Sequence, residues 1–245
     1  MDKENKIEYK GPFLFPAVIL SIAIIVLAGI GGWSVMKLQG LSNTISTSGS
    51  SKITVTSDYA KWKFDIQREV SEATLAKGYE LLATDLLEVR KFLAEKNISA
   101  EEFEVSPVIT HRQDSQGQLQ NKYILSQTIT TYSSNVDRIT ALADSIGVLS
   151  SSGIFISSDL PMYFYNNLPE IKKKLLISAI ADARIRAKEI SKANSIRIGG
   201  LMSASSGVVE VLAPNSTNLT DFDIYDTSSK IKEITVHVET IFRIK

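Results

Sequence analysis

Residues 53–70 read ITVTSDYAKWKFDIQREV, and the fold turns on how this stretch is read. It is dense in β-branched and aromatic residues, which suit a pleated, half-buried surface, so it is predicted to be strand, bent near Ser57-Asp58. Residues 71–96 are helical in pattern. Ser71 stands at a capping position, and Leu75, Tyr79, Leu82, Leu86, Val89 and Leu93 recur at 4-3-4-3-4 spacing, one face of a helix reaching about Lys96. Under three heptads is too short for a coiled-coil seam, so the stripe is predicted to lie on a sheet.

Working outward, Phe103 to His111 and Tyr123 to Tyr132 read as two strands around the polar loop QDSQGQLQN. A shorter helix is predicted from Val136 to Ile146, capped by Asn135 and ended by Gly147. Gly153 to Tyr165 is a further strand with an irregularity or edge at Pro161. A second long helix runs from Pro169 to Ala193, with Leu176, Ile180, Ala183, Ala187 and Ile190 as its apolar stripe. Val208 to Leu212 and Ile231 to Ile244 supply the last strands. Strand–helix–strand–strand thus occurs twice, over 53–133 and 153–244. The fold class expected is α+β, an antiparallel sheet covered by long helices.

Upstream, Gly11 to Met36 is a run of 26 residues without a charge. Its apolar part, residues 13–36, holds 13 Leu, Ile, Val or Phe residues and would span roughly 36 Å as a helix, enough to cross a bilayer. Those side chains favour insertion by roughly 4–8 kcal/mol at most. A cleaved secretory signal has a shorter apolar core, of about 7–15 residues, with small residues beyond it; here Ala28, Gly29, Gly31 and Gly32 lie inside the core. Lys3, Lys6 and Lys10 precede the segment and only Lys37 closely follows it, which orients the amino terminus inward. The domain organisation expected is a cytoplasmic tail over 1–12, a transmembrane signal anchor over 13–36, a Ser/Thr/Gly-rich linker over 37–51, and an extracytoplasmic domain over 52–245. The expected location is the inner (plasma) membrane, single-pass, with the domain periplasmic or extracellular.

The chain has no cysteine, which removes disulfides, thiolate metal sites and thiol chemistry. Basic and acidic residues number 27 each. A balanced chain lacks the field of a nucleic-acid binder, so no nucleic-acid partner is expected.

Three stretches, SGSSKITVTSDYAKW, PMYFYNNLPEIKKKLLISAIADARIRAKEI and STNLTDFDIYDTSSKIKEITVHVETIFRI, together resemble the SIMPL-domain family. The most specific pieces are Ser57-Asp58-Tyr59-Ala60, the Ala-Arg-x-Arg-Ala run at 183–187, and the Asp-x-Tyr-Asp-Thr-Ser-Ser run at 223–229. The resemblance covers about 45–245. It implies a two-part α+β domain in secreted or membrane-anchored bacterial envelope proteins, and in at least one relative a ring-like or cage-like homo-oligomer. It implies no established reaction and no catalytic residues. Many relatives carry a Gly-x-Gly step near the first strand; here the residues are Ser48-Gly49-Ser50-Ser51.

The residues themselves offer little chemistry. The two histidines, His111 and His237, fall in predicted strands. There is no Gly-x-Ser-x-Gly elbow, Walker loop or Rossmann fingerprint, and no catalytic residue or cofactor is assigned. In the loop APNSTNLTDFDIYDTSS, Asp221, Asp223 and Asp226 form a weak candidate site for a hard cation, against the ordinary preference of Asp, Asn, Ser and Thr for turns. Lys172, Lys173 and Lys174 crowd the first turn of a helix, where positive charge opposes the dipole. Tyr163, Phe164 and Tyr165 offer aromatics to either a covering helix or a neighbouring subunit. These six are the interaction candidates. The function expected is a non-enzymatic, membrane-anchored envelope protein acting by self-assembly as a homo-oligomer or by protein–protein interaction. The alternatives are a ligand-binding or sensing module and a hydrolase.

Overall fold

The computed structural model describes residues 14–39, 43–115, 118–216 and 225–245. In chain order the elements are α1 (Leu14–Gln39), β1 (Thr44–Thr56), β2 (Tyr59–Ser71), α2 (Leu75–Glu95), β3 (Phe103–Val105), β4 (Ile109–Ser115), β5 (Gln118–Ser133), α3 (Val136–Asp144), α4 (Gly147–Ser151), β6 (Phe155–Ser158), β7 (Met162–Phe164), α5 (Leu168–Ala193), β8 (Ile198–Leu212) and β9 (Ile231–Ile244). The strands form two sheets, one of six strands and one of three. The chain divides into two compact units: residues 50–182 with 206–238, and residues 1–49 with 183–205 and 239–245.

The larger unit is built on the six-stranded antiparallel sheet. Its centre is the β2–β5 ladder, running from Ala60↔Ser133 to Ser71↔Lys122. Strands β3 and β4 pair with the far edge of β5, while β6 and β7 pair with the far edge of β2. Alternation along β2 sends Ala60, Trp62, Phe64 and Ile66 inward, where they meet Leu82, Val89 and Leu93 of α2 and Ile139 and Leu142 of α3. Trp62 and Phe64 are 4.7 Å apart between ring centres, and the indole N–H donates to Asp159 O at 2.8 Å. This satisfies the one polar atom of a buried Trp.

The α2 stripe differs from its expected form, and Phe92 joins its buried face. Gly78 and Asp85 sit at the buried interface, whereas Tyr79 is exposed. Gly78 lets the helix approach closely: a Cβ there would lie 2.6 Å from a Val70 methyl and 2.9 Å from a Leu125 methyl. Asp85 is buried because Arg68, on the inward face of β2, grips it with two bonds of 2.6 Å.

In the smaller unit, Ala183, Ala187 and Ser191 of α5 are buried, as are Thr47, Thr240 and Phe242 of the three-stranded sheet. Thr47 Oγ1 donates to Ala183 O at 3.1 Å and lies 3.1 Å from the Thr240 hydroxyl. The three-stranded order is β1-β9-β8, so the long last strand is central.

Several expectations need correction. Of the linker expected over 37–51, residues 37–39 end α1 and residues 44–51 are the first part of β1, a strand that Ser/Thr/Gly composition hides; residues 40–42 lie outside the described residues. The bend at Ser57-Asp58 is a break at which the chain passes from one sheet to the other. The 113–121 loop is shorter, because the β4–β5 ladder continues to Ser115↔Gln118. Asn135 does cap α3, its side chain accepting from Arg138 N at 3.1 Å, but Gly147 opens α4 rather than ending a helix. On α5 the buried positions are Ile171, Leu175, Ala179, Ala183, Ala187 and Ser191, while Ile190 is 47% exposed. The two strand–helix–strand–strand repeats also exchange strands: β6 and β7 join the first sheet, and β1 joins the second.

Side chains of α1 are described for residues 18–31, and all are exposed. Among the residues whose side chains are described no helix is long and apolar enough to cross a membrane.

Candidate functional site

The inward set on β2 leaves Tyr59 and Lys61 on the outer face of the six-stranded sheet. Strand β7 pairs Tyr59↔Phe164, Ala60↔Tyr163 and Lys61↔Met162, so Phe164 stands beside Tyr59 on that outer face. Their ring centres are 6.3 Å apart at 57°. Tyr225 continues the row, 6.1 Å from Phe164 and close to parallel at 24°. Its hydroxyl accepts the Tyr165 N–H at 2.7 Å. Tyr59, Lys61, Phe164, Tyr165, Asn166 and Tyr225 line a shallow depression of about 420 Å³. Its lining combines half-buried aromatic residues with a lysine and an asparagine. Burial pushes the Tyr225 phenol above its ordinary value, against the Tyr165 N–H, which favours the phenolate.

Tyr163 does not belong to this surface. It is 7% exposed, its hydroxyl lies 3.0 Å from Thr140 Oγ1 on α3, and its N–H donates to Thr227 O at 2.7 Å. A helix therefore covers the inner side of the aromatic run, while Phe164 and Tyr165 remain half-exposed on the outer side.

Behind Tyr225 the chain is tightly tied. The Asp226 carboxylate accepts from Ser228 N at 2.8 Å, Ser228 Oγ at 2.6 Å, Ser229 N at 3.3 Å and Ser229 Oγ. Burial alone would raise this carboxyl; the serine hydroxyls, the Ser228 N–H and the Lys232 charge outweigh it and hold Asp226 at about 2. Lys232 is wholly buried on the inward face of β9, and its ammonium donates to Ser229 O at 3.0 Å and to Asp226 O. Burial pushes its pKa down, with the Asp226 charge opposing. The oxygens of Asp226 are thus committed to its own turn. Asp221 and Asp223 lie outside the described residues. Among the described residues no group of three His, Asp or Glu side chains is placed to hold a metal.

The three lysines are exposed on α5, with Lys173 bonded to Glu170 at 2.8 Å. His111 on β4 is exposed and paired with Ile124; His237 on β9 is exposed and 3.9 Å from Glu210. The histidines belong to different sheets.

Of the residues that line the depression, sequence reasoning singled out Phe164 and Tyr165 as interaction candidates and passed over Tyr59, Lys61, Asn166 and Tyr225, and with them the buried Lys232. Tyr59 was signalled by alternation with the buried Ala60, Trp62 and Phe64. No local signal places Tyr225 beside Phe164, or turns a lysine inward on β9.

Comparison with known proteins gives a family and no activity. A family model described as "SIMPL: Protein of unknown function (DUF541)" matches residues 45–242. No curated protein matches. A solved structure, the crystal structure of a hydantoinase/carbamoylase family amidase from Burkholderia ambifaria, is similar over 43% of this chain at 17% identity with a TM-score of 0.23. The aligned region is 28% of that protein, and similarity at this level carries no argument about fold or activity. The family match spans both sheets, including the strand at 44–56 and the Tyr225–Ser229 turn, and on it the chain belongs to the SIMPL family.

Proposed function

We propose that this is a single-pass membrane protein whose SIMPL domain lies outside the cytoplasm and works by binding, through self-assembly or partner proteins, and not by catalysis. The supporting observation is α1. Val18, Ile19, Leu20, Ile22, Ile24, Ile25, Val26, Leu27 and Ile30 are 53–70% exposed. Fully burying such a side chain is worth about 1.5–3 kcal/mol, so an apolar helix left bare by its own chain calls for another cover. The uncharged run from Gly11 to Met36 supplies the length for a bilayer, and the three preceding lysines supply the direction.

The test is alkaline carbonate extraction with protease digestion from the outer side. Full-length protein is expected in the membrane pellet, with the domain cleaved from outside, and a chain lacking residues 1–37 in the soluble fraction. Full-length protein released by carbonate, or a domain protected on the outer side, overturns the reading.

Self-assembly is supported by β8, an edge strand without a charge from Ile198 to Val209. Residues 200–207 are exposed, with Leu201 and Met202 at 47% and 41%. Such an edge presents unpaired backbone groups and invites a second strand. Light scattering on the detergent-solubilised chain is expected to give a multimer that Leu201→Lys reduces; a monomer at all concentrations sinks it.

A further inference from the structure

We infer that the depression between Tyr59, Phe164 and Tyr225 binds a saccharide, with the apolar C–H face of a sugar ring laid on the aromatic row. The inference rests on reading the domain as a binding module, and it names the ligand class. Successive ring centres stand 6.3 and 6.1 Å apart, so the row spans up to about 12 Å, long enough for more than one sugar ring. The volume of about 420 Å³ lies within the range of small-ligand sites. The row is fixed beforehand: Phe164 by its ladder with Tyr59, and Tyr225 by its bond from Tyr165 N and by Lys232. A surface already ordered loses little on binding. Lys61, Asn166, Tyr59 and Tyr165 are among the residues that line the depression, and they bring an ammonium, an amide and two phenols, donors and acceptors of the kind that read sugar hydroxyls. Among the described residues, Lys61 and the Asn166 side chain carry no hydrogen bond or ion pair.

Charge and spacing separate the saccharide from the other ligands that aromatic surfaces take. An organic cation is disfavoured, because the Lys232 ammonium is already 5.2 Å from the Tyr225 ring centre and Lys61, in the lining, adds a second positive charge. A planar aromatic ligand gains most from a slot between two ring faces. Phe164 and Tyr225 already lie at 24° with centres 6.1 Å apart, which leaves only the open side of the row.

The experiment is saturation-transfer NMR and calorimetry on the full chain in a sugar-free detergent. The probes are maltotriose and the trimer of N-acetylglucosamine, with tetramethylammonium and a proline-rich decapeptide alongside. At least one trisaccharide is expected to bind through its ring C–H protons. Phe164→Leu, which keeps an apolar side chain and removes the ring, should weaken binding at least tenfold, and Lys61→Gln less. Circular dichroism shows whether each variant is folded. Failure of both trisaccharides to bind folded wild-type protein overturns the inference, as does binding unaffected by Phe164→Leu, or binding of the cation or peptide in their place. Carbonate extraction and light scattering on the same preparations report the anchor and the assembly separately, so loss of one reading does not carry the other with it.

Discussion

The ammonium group of Lys232 stands 5.2 Å from the centre of the Tyr225 ring, wholly inside the protein, and donates to two main-chain carbonyls of the turn that carries that ring. A buried lysine here acts as a brace between β9 and the 225–229 segment. Lys232→Met keeps the apolar stem but leaves the carbonyls of Asp226 and Ser229 without their donor, at about 1–3 kcal/mol each, and removes the cation from the ring. A loss of about 2–4 kcal/mol is expected in urea unfolding, with faster amide exchange confined to residues 225–230. Stability within about 0.5 kcal/mol of wild type would show that the brace is redundant.

Asp226 gives the protein an acid-sensitive turn. Its folded value of about 2 lies below its ordinary 3.8, so its contribution is present in full above the ordinary value and is lost as pH falls through about 2. The contribution is about 2 kcal/mol at most, and less where water screens the partly exposed turn. Asp226→Asn should lose it at neutral pH and show a flatter stability profile between about pH 4 and pH 2. Urea titrations at several pH values across that window check both, and parallel profiles for the two proteins would contradict the assignment.

The Arg68–Asp85 pair joins α2 to β2 with both bonds at 2.6 Å, and the aspartate is buried. Removing only the cation strands a buried carboxylate, so Arg68→Met is expected to cost about 3–5 kcal/mol. Replacing both, as Arg68→Met with Asp85→Leu, should recover most of that loss. Thermal unfolding of the two single variants and the double variant closes the cycle; additive losses would mean the partners do not act together.

Gly78→Ala sets two effects against each other. Alanine favours a helix interior by about 1 kcal/mol over glycine. The new methyl meets Val70, whose branched side chain is stiff, and Leu125, which is fully buried. Overpacking of about 1–3 kcal/mol outweighs the gain, and a lower melting temperature is expected. A higher one would show that α2 can lift off the sheet at little cost.

What could be read in the residues tracked the strength of local pattern. The α2 stripe and the β2–β5 pairing were legible, because their inward residues are large, apolar and regularly spaced. Thr44–Ser51 was not, because its partner β9 begins at residue 231 and its exposed positions are serines, so nothing local marks it as strand. On α5 the expected stripe slipped because alanines at 179, 183 and 187 are buried while larger Ile177, Ile185 and Ile190 are exposed. The aromatic row was half legible: alternation predicts that Tyr59 faces out, but only the return of the chain after β8 brings Tyr225 to Phe164. Lys232 was hidden by the sound rule that lysine seeks water.

The position of β1 beside β9 bears on how the protein is made. β1 emerges from the ribosome about 175 residues before the strand that completes its ladder. For most of synthesis it is an unpaired strand whose backbone can join to the wrong neighbour. A run of valines and isoleucines there would make a strong strand and a dangerous wait. Thr44–Ser51, TISTSGSS, has only one large apolar residue, so it gains little from premature pairing and becomes strand when β9 arrives. The weakness of the strand signal in this first part of β1 is then a safeguard during biogenesis.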